Sequence, residues 1–418
     1  MDYKKIVLDN YTIHFIQNKK FHTIDFRVFF SENVTEEKIT YRNALVSLLT
    51  MATKKYDTKE KLIKRCQDLY SLSPSAFTTR NGNLLSTRFS ISTINSSYVD
   101  KDNIKENILL LKEIILNPLA TDKKFNDKYF DIIKKELIAE TKTIAEEPRL
   151  YANINLIKML NTSGNILSGY CELDLLDKMN TKNLYQSYLE MLNNSKIDIF
   201  VAGNVNNINE ITKLIKDNFV FHNKYQLNEG MINHSLGSTN VLIKEETKNY
   251  QQSKLAIGYK MYNLTNYENR YVSFVFNNLF GGGANSLLMR YVRENESLCY
   301  YVNSFTNRLD NIIFVNSGIN KENYEKVKDL INDVLNKIAN GKFTLSDLAE
   351  AKMEMLFSLS TMEDSNRNMI EYYFGRELFK SDELKVRIEN TKKVSKEDIM
   401  TYAKKIKLEA VFFLKGDL

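Results

Sequence analysis

The feature of this 418-residue chain that most constrains its fold is an internal repeat. Residues 182–205 are typical of a short helix, a buried strand and then Gly-Asn-Val, and residues 396–418 repeat that order and end on Gly-Asp-Leu. The two glycines, Gly203 and Gly416, lie 213 positions apart. Two halves of about 200 residues each have the ordinary size of single domains.

A second pair of segments repeats at a similar distance. Apolar residues at helical spacing run through residues 103–117 and 323–340, and a further long helical pattern follows each of them, at 123–144 and 346–359. Because both pairs keep the same order, we interpret the chain as the product of an ancient duplication. Chance similarity between amphipathic helices is the alternative.

The strand patterns decide the fold class. Apolar residues alternate in both halves of the chain, at residues 23–30, 84–93, 252–261, 299–305 and 311–317. Only 14 glycines and 3 prolines occur, which is too few for a turn-dense all-β sandwich or barrel. Strands mixed irregularly with long helices predict an α+β fold of two homologous two-layer domains, each a mostly antiparallel sheet with helices on one face.

The middle of the chain has the composition of a linker. Residues 223–239 are polar, contain Gly230 and Gly237, and show little apolar periodicity. We therefore predict one domain over residues 1–222, a linker over 223–239, and a second domain over 240–418.

Charge and hydropathy argue against several classes of function. The net charge is only +6, from 58 Lys and Arg against 52 Asp and Glu, and the two signs alternate along the helical stretches. This pattern disfavours binding to nucleic acid. No apolar run reaches the length of a membrane span or of a signal-peptide core, and the three cysteines fit no disulfide framework. We expect a cytoplasmic protein that does not bind a membrane.

The common catalytic motifs are missing from the sequence. It contains no dinucleotide-binding Gly-x-Gly-x-x-Gly, no Walker-type lysine and no nucleophile elbow. None of the four histidines has a second histidine three or four residues away on a helix. We therefore interpret the histidines as structural or solvated and predict no metal and no cofactor in this chain.

One stretch in the second half stands out. Gly281, Gly282 and Gly283 follow an amphipathic helix, a second helix ends near Arg293, and a strand that carries Tyr300 comes next. Glycines let another backbone approach closely. A phosphate-binding loop is disfavoured because no lysine follows the glycines. On spacing alone, the plainest interpretation is a flexible helix cap followed by a solvated arginine and a strand tyrosine.

With these residues, the sequence resembles the insulinase/pitrilysin family of zinc metallopeptidases, in its small-subunit, mitochondrial-processing-peptidase-like branch. The resemblance extends over essentially the whole chain. Family members carry a glycine-rich loop, then Arg-Glu at a helix end, then Leu-x-Tyr in the next strand. Here these motifs are residues 281–283, Arg293-Glu294 and Leu298-Cys299-Tyr300, with the family's separation of seven between arginine and tyrosine. Further matches are Thr53-Lys54-Lys55-Tyr56, Gly169, Tyr188 and residues 199–205.

The chain departs from the family at the zinc motif. The family binds zinc through His-x-x-Glu-His on its first long helix, and the alignment places Asn43, Val46 and Ser47 on those positions. Both histidines and the general-base glutamate are therefore lost. Glu136 or Glu140 matches the family's third ligand, but one carboxylate does not hold catalytic zinc, which needs about three protein ligands.

The resemblance therefore implies a non-catalytic, substrate-binding subunit of a two-subunit zinc metallopeptidase that processes peptides or small unfolded proteins. Arg293 would hold a substrate carbonyl, Tyr300 would donate to the oxyanion, and residues 281–283 would bind substrate, all at the zinc site of a homologous partner. The assembly would be a heterodimer, or a homodimer without that partner. The main alternative is a peptidase-like scaffold or peptide-binding protein in a maturation pathway. A self-sufficient peptidase with an unconventional metal site is a third hypothesis.

Overall fold

The computed structural model describes residues 2–99, 103–161, 166–234 and 240–417. Its strands are β1 Asp2–Val7, β2 Thr12–Gln17, β3 Thr23–Asn33, β4 Ser75–Asn81, β5 Leu84–Ile94, β6 Ala120–Thr121, β7 Lys124–Phe125, β8 Lys196–Gly203, β9 Leu242–Lys248, β10 Ser253–Met261, β11 Cys299–Asn307, β12 Ile312–Ile319 and β13 Ile406–Gly416. Each segment predicted as a strand from apolar alternation overlaps one of these strands.

The helices are α1 Glu36–Leu49, α2 Lys59–Asp68, α3 Ile104–Leu116, α4 Asp127–Thr143, α5 Pro148–Leu160, α6 Leu173–Lys178, α7 Thr181–Asn194, α8 Ile208–Asn218, α9 Ser273–Asn277, α10 Tyr324–Ala339, α11 Leu345–Ser360, α12 Asn366–Phe379, α13 Leu384–Lys393 and α14 Lys396–Lys404. π-Helical turns cover Glu268–Val272, Asn278–Gly282 and Met289–Glu294. No helix among the described residues is long and apolar enough to cross a membrane.

The chain forms two compact units. Unit 1 consists of Met1–Lys142, Gly169–Gly230 and Met362–Lys380, and unit 2 of Thr143–Ser168, Met231–Thr361 and Ser381–Leu418. Each unit therefore contains most of one half of the sequence and one segment from the other half. The segment that unit 2 takes from the first half includes α5, and the one that unit 1 takes from the second half includes α12.

We call Thr143–Ser168 and Met362–Lys380 the exchanged segments. The units differ from the predicted domains 1–222 and 240–418 in these two segments. The change from unit 1 to unit 2 at Gly230 falls within the predicted linker 223–239. The amide of Asn83 donates to the Gly230 carbonyl, and the amide of Ile232 donates to the carbonyl of Leu309. Residues 235–239 of the predicted linker lie outside the described residues.

Each unit is built on one large, mostly antiparallel sheet. The strand order is β1-β2-β8-β3-β5-β4 in unit 1 and β9-β13-β10-β12-β11 in unit 2. β2 pairs in parallel with β8, and β9 pairs in parallel with β13, while the other pairs within these two sheets are antiparallel. The five strands of unit 2 thus match β2, β8, β3, β5 and β4 in order and direction, as a duplicated domain predicts.

The glycines of the sequence repeat occupy equivalent places at the ends of β8 and β13. A Cβ atom on Gly203 would lie 2.6 Å from the Thr23 carbonyl oxygen, and one on Gly416 would lie 2.5 Å from the Tyr250 carbonyl oxygen. Both positions exclude a side chain because another backbone passes too closely. The two glycines of the sequence repeat are therefore explained by the same close approach of a neighbouring backbone in each sheet.

The helices of each unit bury one face of its sheet. In unit 1, Ile199 of β8 and Leu45 of α1 lie in one core, and in unit 2, Ile257 of β10 packs with Val334 of α10 and Tyr402 of α14. Every one of these side chains is at most 1% exposed, so each core is held chiefly by removal of apolar surface from water. The predicted α+β fold of two homologous two-layer domains is confirmed.

The structure adds a helix on the opposite face of each sheet. Strand side chains alternate between faces, so Ala256 and Phe412 point away from the helical core of unit 2 and instead join Leu156 of α5. In unit 1, α12 covers the corresponding face, where Phe374 stacks on Phe29 with ring centroids 4.0 Å apart. Each exchanged segment therefore completes the burial of a sheet.

Candidate functional site

The three glycines lie at the end of a helical segment, where neighbouring atoms leave no room for a side chain. A Cβ atom added to Gly281 would lie 2.7 Å from Leu288 Cδ1, and one added to Gly283 would lie 2.5 Å from a Glu354 carboxylate oxygen. A Cβ atom added to Gly282 would overlap Asn277 Nδ2. Gly281 and Gly283 are buried, and Gly282 is exposed. None of the three has a positive φ. Close approach, and not left-handed backbone, is thus the reason for glycine at these positions.

Arg293 lies in the last π-helical turn before β11. Val292, which is fully buried, anchors that turn in the core of unit 2, while Arg293 is exposed. The amides of Ser297 and Leu298 donate to the carbonyls of Arg293 at 3.0 Å and Val292 at 3.3 Å, which fixes the reversal of the chain into β11. π-Helical turns in α-helical segments are frequent at functional sites.

Tyr300 stands on a β-bulge. Across the β11–β12 ladder Cys299 pairs with Ile319 and Tyr301 pairs with Gly318, so that Tyr300 has no opposite residue. A bulge turns a side chain away from the regular alternation of a strand. The Tyr300 side chain is 62% exposed, and its hydroxyl has one long contact, 3.5 Å, with Asn320 Oδ1.

The predicted arginine–tyrosine pair is close in the chain but not in direct contact. No hydrogen bond or ring contact joins Arg293 to Tyr300 among the described residues. The charge of Arg293 does act on the residue before Tyr300. Burial raises the pKa of the Cys299 thiol, and a hydrogen bond with Ser317 and the positive charge of Arg293 oppose this increase only in part. Both predicted site residues are thus exposed at the same end of β11.

The positions of the family's zinc motif lie on α1 and offer no suitable ligands. Asn43 accepts a hydrogen bond from Thr78 Oγ1 at 2.8 Å and donates to the Ile39 carbonyl at 2.9 Å. The Ser47 hydroxyl donates to the Asn43 carbonyl at 3.1 Å, and Val46 is 5% exposed in the core. Zinc prefers thiolate, imidazole and carboxylate ligands, so these residues do not fit a catalytic zinc ion.

The third-ligand candidates do not change this conclusion. Glu136 and Glu140 are both exposed on α4. Burial and then the nearby Glu140 carboxylate raise the pKa of the Cys171 thiol to about 12. Neither glutamate belongs to a group of His, Cys, Asp and Glu side chains close enough to share a metal ion, as far as the described residues show.

One buried polar cluster in unit 1 was not predicted. His14, Asp198 and Glu377 place ligand atoms within 4.8 Å of one another on the face of the sheet that α12 covers. His14 is fully buried; its Nδ1 is hydrogen-bonded to the Tyr3 hydroxyl at 2.7 Å and its Nε2 to Asp198 Oδ1 at 3.1 Å. The sequence interpretation of an isolated histidine as structural fits this arrangement. Its partners lie too far along the chain for any spacing to reveal them.

The charges of this cluster are already balanced. Lys196 pairs with Asp198, and Lys5 pairs with Glu377 at 2.6 Å. Burial tends to raise the pKa of Asp198, but hydrogen bonds from His14 and Lys196 bring it below its ordinary value. The cluster therefore anchors α12 without requiring a metal ion.

The chain is similar to several known proteins. Residues 178–355 match the family model described as the peptidase M16 inactive domain. The probable inactive metalloprotease YmfF of Bacillus subtilis (strain 168) is 27% identical over 415 residues, which cover 97% of this chain and 96% of that protein. A conserved protein from Enterococcus faecalis V583 has a solved structure with a TM-score of 0.92, 26% identity, and coverage of 100% of this chain and 99% of that one.

A further solved structure, the peptidase M16 inactive domain from Pseudomonas fluorescens, shares the fold with a TM-score of 0.79 at 15% identity, over 100% of this chain and 99% of that one. The matched residues 178–355 include the glycine loop, Arg293 and Tyr300 and exclude α1. The resemblance to the insulinase/pitrilysin family is confirmed. Over residues 178–355 the chain is thus similar to the inactive domain of M16 peptidases, and over nearly its whole length it is similar to a probable inactive metalloprotease.

Proposed function

We propose that this chain is the non-catalytic, substrate-binding subunit of a two-subunit zinc metallopeptidase that processes peptides or small unfolded proteins. Its partner is a homologous chain that carries His-x-x-Glu-His. Arg293 and Tyr300 act on substrate held at that partner's site, so that the complete site exists only in the heterodimer.

The observation that carries the proposal is the exposure of Tyr300 on its bulge. A large aromatic residue that is 62% exposed does little for the core of unit 2. Among the described residues its hydroxyl has only the long contact with Asn320, and it is thus available to donate a hydrogen bond. A donor held at a fixed position on a strand suits the stabilisation of an oxyanion, because it need not reorganise during the reaction.

Arg293 supports the same function through its charge and its fork of donors. A guanidinium group remains ionised at any physiological pH and binds carbonyl or carboxylate oxygens with several N–H groups at once. The buried Val292 holds the turn while Arg293 extends into solvent. β11 is an edge strand of its sheet, and the unpaired backbone groups of an edge suit an extended peptide.

The test is the peptidase activity of the reconstituted heterodimer. The chain is co-expressed with a homologue that carries His-x-x-Glu-His, and kcat/KM is measured with a fluorogenic peptide. We expect Arg293→Ala and Tyr300→Phe each to lower kcat/KM by about 100-fold, the effect of losing one oxyanion donor. Co-elution of the two chains is expected to stay unchanged.

Tyr98→Phe provides the matched control. Tyr98 is 57% exposed and belongs to unit 1, and a phenylalanine keeps its ring contact with His22. It is expected to leave kcat/KM unchanged. Full activity of the homologue alone, unaffected by Arg293→Ala, would contradict the proposal. A stable complex in which neither substitution changes activity would favour the scaffold or peptide-binding alternative.

A further inference from the structure

A small pocket in unit 2 gathers three arginines around one carboxylate. The pocket has a volume of about 50 Å³. Arg270 comes from the π-helical turn Glu268–Val272, Arg308 from the turn between β11 and β12, and Arg387 from α13. The carboxylate is that of Asp382, which comes just before α13. The pocket lining includes none of the glycines of residues 281–283, nor Arg293 or Tyr300.

The single carboxylate is already engaged. Asp382 Oδ2 accepts a hydrogen bond from Arg270 Nη1 at 2.8 Å and another from the Tyr271 hydroxyl at 2.5 Å. Burial tends to raise the pKa of Asp382, but these hydrogen bonds hold it below its ordinary value, so the group is ionised at neutral pH. Asp382 therefore contributes one negative charge, and it is directed at Arg270.

Arg308 is the arginine of this pocket for which the described part of the chain provides no ion pair. Among the described residues no carboxylate forms a salt bridge with its guanidinium, and Asp382 acts on it only at longer range. Burial, followed by the positive charges of Arg387 and Arg270, lowers the pKa of Arg308 to about 10. The residue keeps its charge at neutral pH, and a desolvated charge without a partner is costly.

Hydrogen bonds to the turn that carries Arg308 hold this residue close to Arg270. Asn269, which is 1% exposed, donates from Nδ2 to the Arg308 carbonyl at 2.9 Å and to Asn311 Oδ1 at 2.8 Å. Asn307 Oδ1 accepts from the amides of residues 309 and 310 and closes the same turn. Because Asn269 precedes Arg270 in the chain, these bonds keep Arg308 beside Arg270 despite their like charges.

We infer that this pocket is a binding site for a phosphoryl-type oxyanion, such as inorganic phosphate or the phosphoryl group of a small metabolite. Guanidinium forks match phosphate oxygens with paired hydrogen bonds. The volume of about 50 Å³ suits a group as small as one phosphoryl group. The rings of Tyr271 and Phe274 also line the pocket. A dianion there would offset the positive charge of Arg308, for which the described residues provide no ion pair.

Isothermal titration calorimetry of the full chain with inorganic phosphate tests the inference, in chloride buffer at constant ionic strength. We expect saturable binding of one phosphate per chain. The Arg308→Gln variant is expected to bind phosphate with a Kd at least ten-fold higher. Arg65→Gln is the matched control and is expected to bind as the unchanged protein does. Arg65 is 25% exposed, close to the 26% of Arg270, but pairs with Glu106 in unit 1.

A thermal unfolding measurement without phosphate separates binding from a structural role. Arg308→Gln removes one of three like charges, so its Tm is expected to equal or exceed that of the unchanged protein. Phosphate is expected to raise the Tm of the unchanged protein more than that of the variant. A lower Tm for Arg308→Gln in phosphate-free buffer, phosphate binding unaffected by that substitution, or acetate binding as tight as that of phosphate would overturn the inference.

Discussion

At the scale of single residues, Gly258 controls how α5 packs on the sheet of unit 2. Gly258 lies on β10, and a Cβ atom there would lie 2.7 Å from Leu160 Cδ1, 3.1 Å from Cδ2 and 3.2 Å from Cγ. The whole Leu160 side chain would have to move, yet it is only 1% exposed and is surrounded by close-packed atoms. The absence of a side chain at Gly258 therefore sets the distance between helix and sheet.

We predict that Gly258→Ala lowers the free energy of unfolding by about 1–3 kcal/mol, the cost of overpacking a core. Leu160→Ala is expected to cost about 2–5 kcal/mol because it leaves a cavity. In the double variant the new methyl group occupies part of that cavity, so the combined loss should be smaller than the sum of the two. Denaturant unfolding of the four proteins measures this coupling, and strict additivity would contradict the packing described.

At the scale of elements, α12 and α5 occupy comparable places but are held by different forces. α5 packs through apolar side chains, whereas α12 also relies on charge. Glu371 of α12 pairs with Arg27 at 3.0 Å and with Arg88. Both arginines are at most 5% exposed. Burial lowers the pKa of Arg88 to about 10, and the Glu371 carboxylate opposes that decrease.

We predict that Glu371→Gln lowers the free energy of unfolding by about 2 kcal/mol, because it leaves two buried guanidinium groups with one fewer carboxylate. The loss is smaller than the roughly 3–5 kcal/mol of a fully buried pair because Glu371 itself is 43% exposed. Asp364→Asn is the matched control: Asp364 is 64% exposed, lies 3.9 Å from Lys20, and should cost about 0–1 kcal/mol. Equal losses in denaturant unfolding would argue against a buried charge network.

At the scale of the whole molecule, the exchanged segments make each unit depend on both halves of the sequence. A fragment that ends at residue 222 lacks α12, and one that begins at residue 240 lacks α5. The second fragment then exposes Ala256, Phe314 and Phe412 on the outer face of its sheet. Each half of the chain therefore leaves an apolar or charged sheet face uncovered.

We predict that a synthetic peptide of α5, residues 148–160, raises the Tm of the fragment 240–418 in a concentration-dependent manner, because it buries that outer face again. The same peptide with Leu156→Asp should have no effect, since Leu156 is fully buried in this interface. Thermal unfolding followed by circular dichroism provides the measurement. Stabilisation by both peptides alike would show that the effect is not due to this packing.

Properties that depend on neighbouring residues were determined by the sequence itself. Helical spacing over residues 103–117 predicted α3, and the repeat that ends at Gly203 and Gly416 predicted two homologous α+β domains. The positions of the missing ligands, residues 43, 46 and 47, came instead from the resemblance to the metallopeptidase family, whose zinc motif has a fixed spacing on one helix. The helix and the fold class could be predicted because periodicity is a short-range feature.

Contacts between distant segments were decided only by the tertiary structure. The exchange of α5 and α12 depends on which sheet face lacks cover, and the bulge at Tyr300 depends on the register with β12. The pocket of Arg270, Arg308 and Arg387 unites three elements that no spacing relates. Such features arise from long-range packing and pairing, whose energies depend on positions in space and not on separation along the chain.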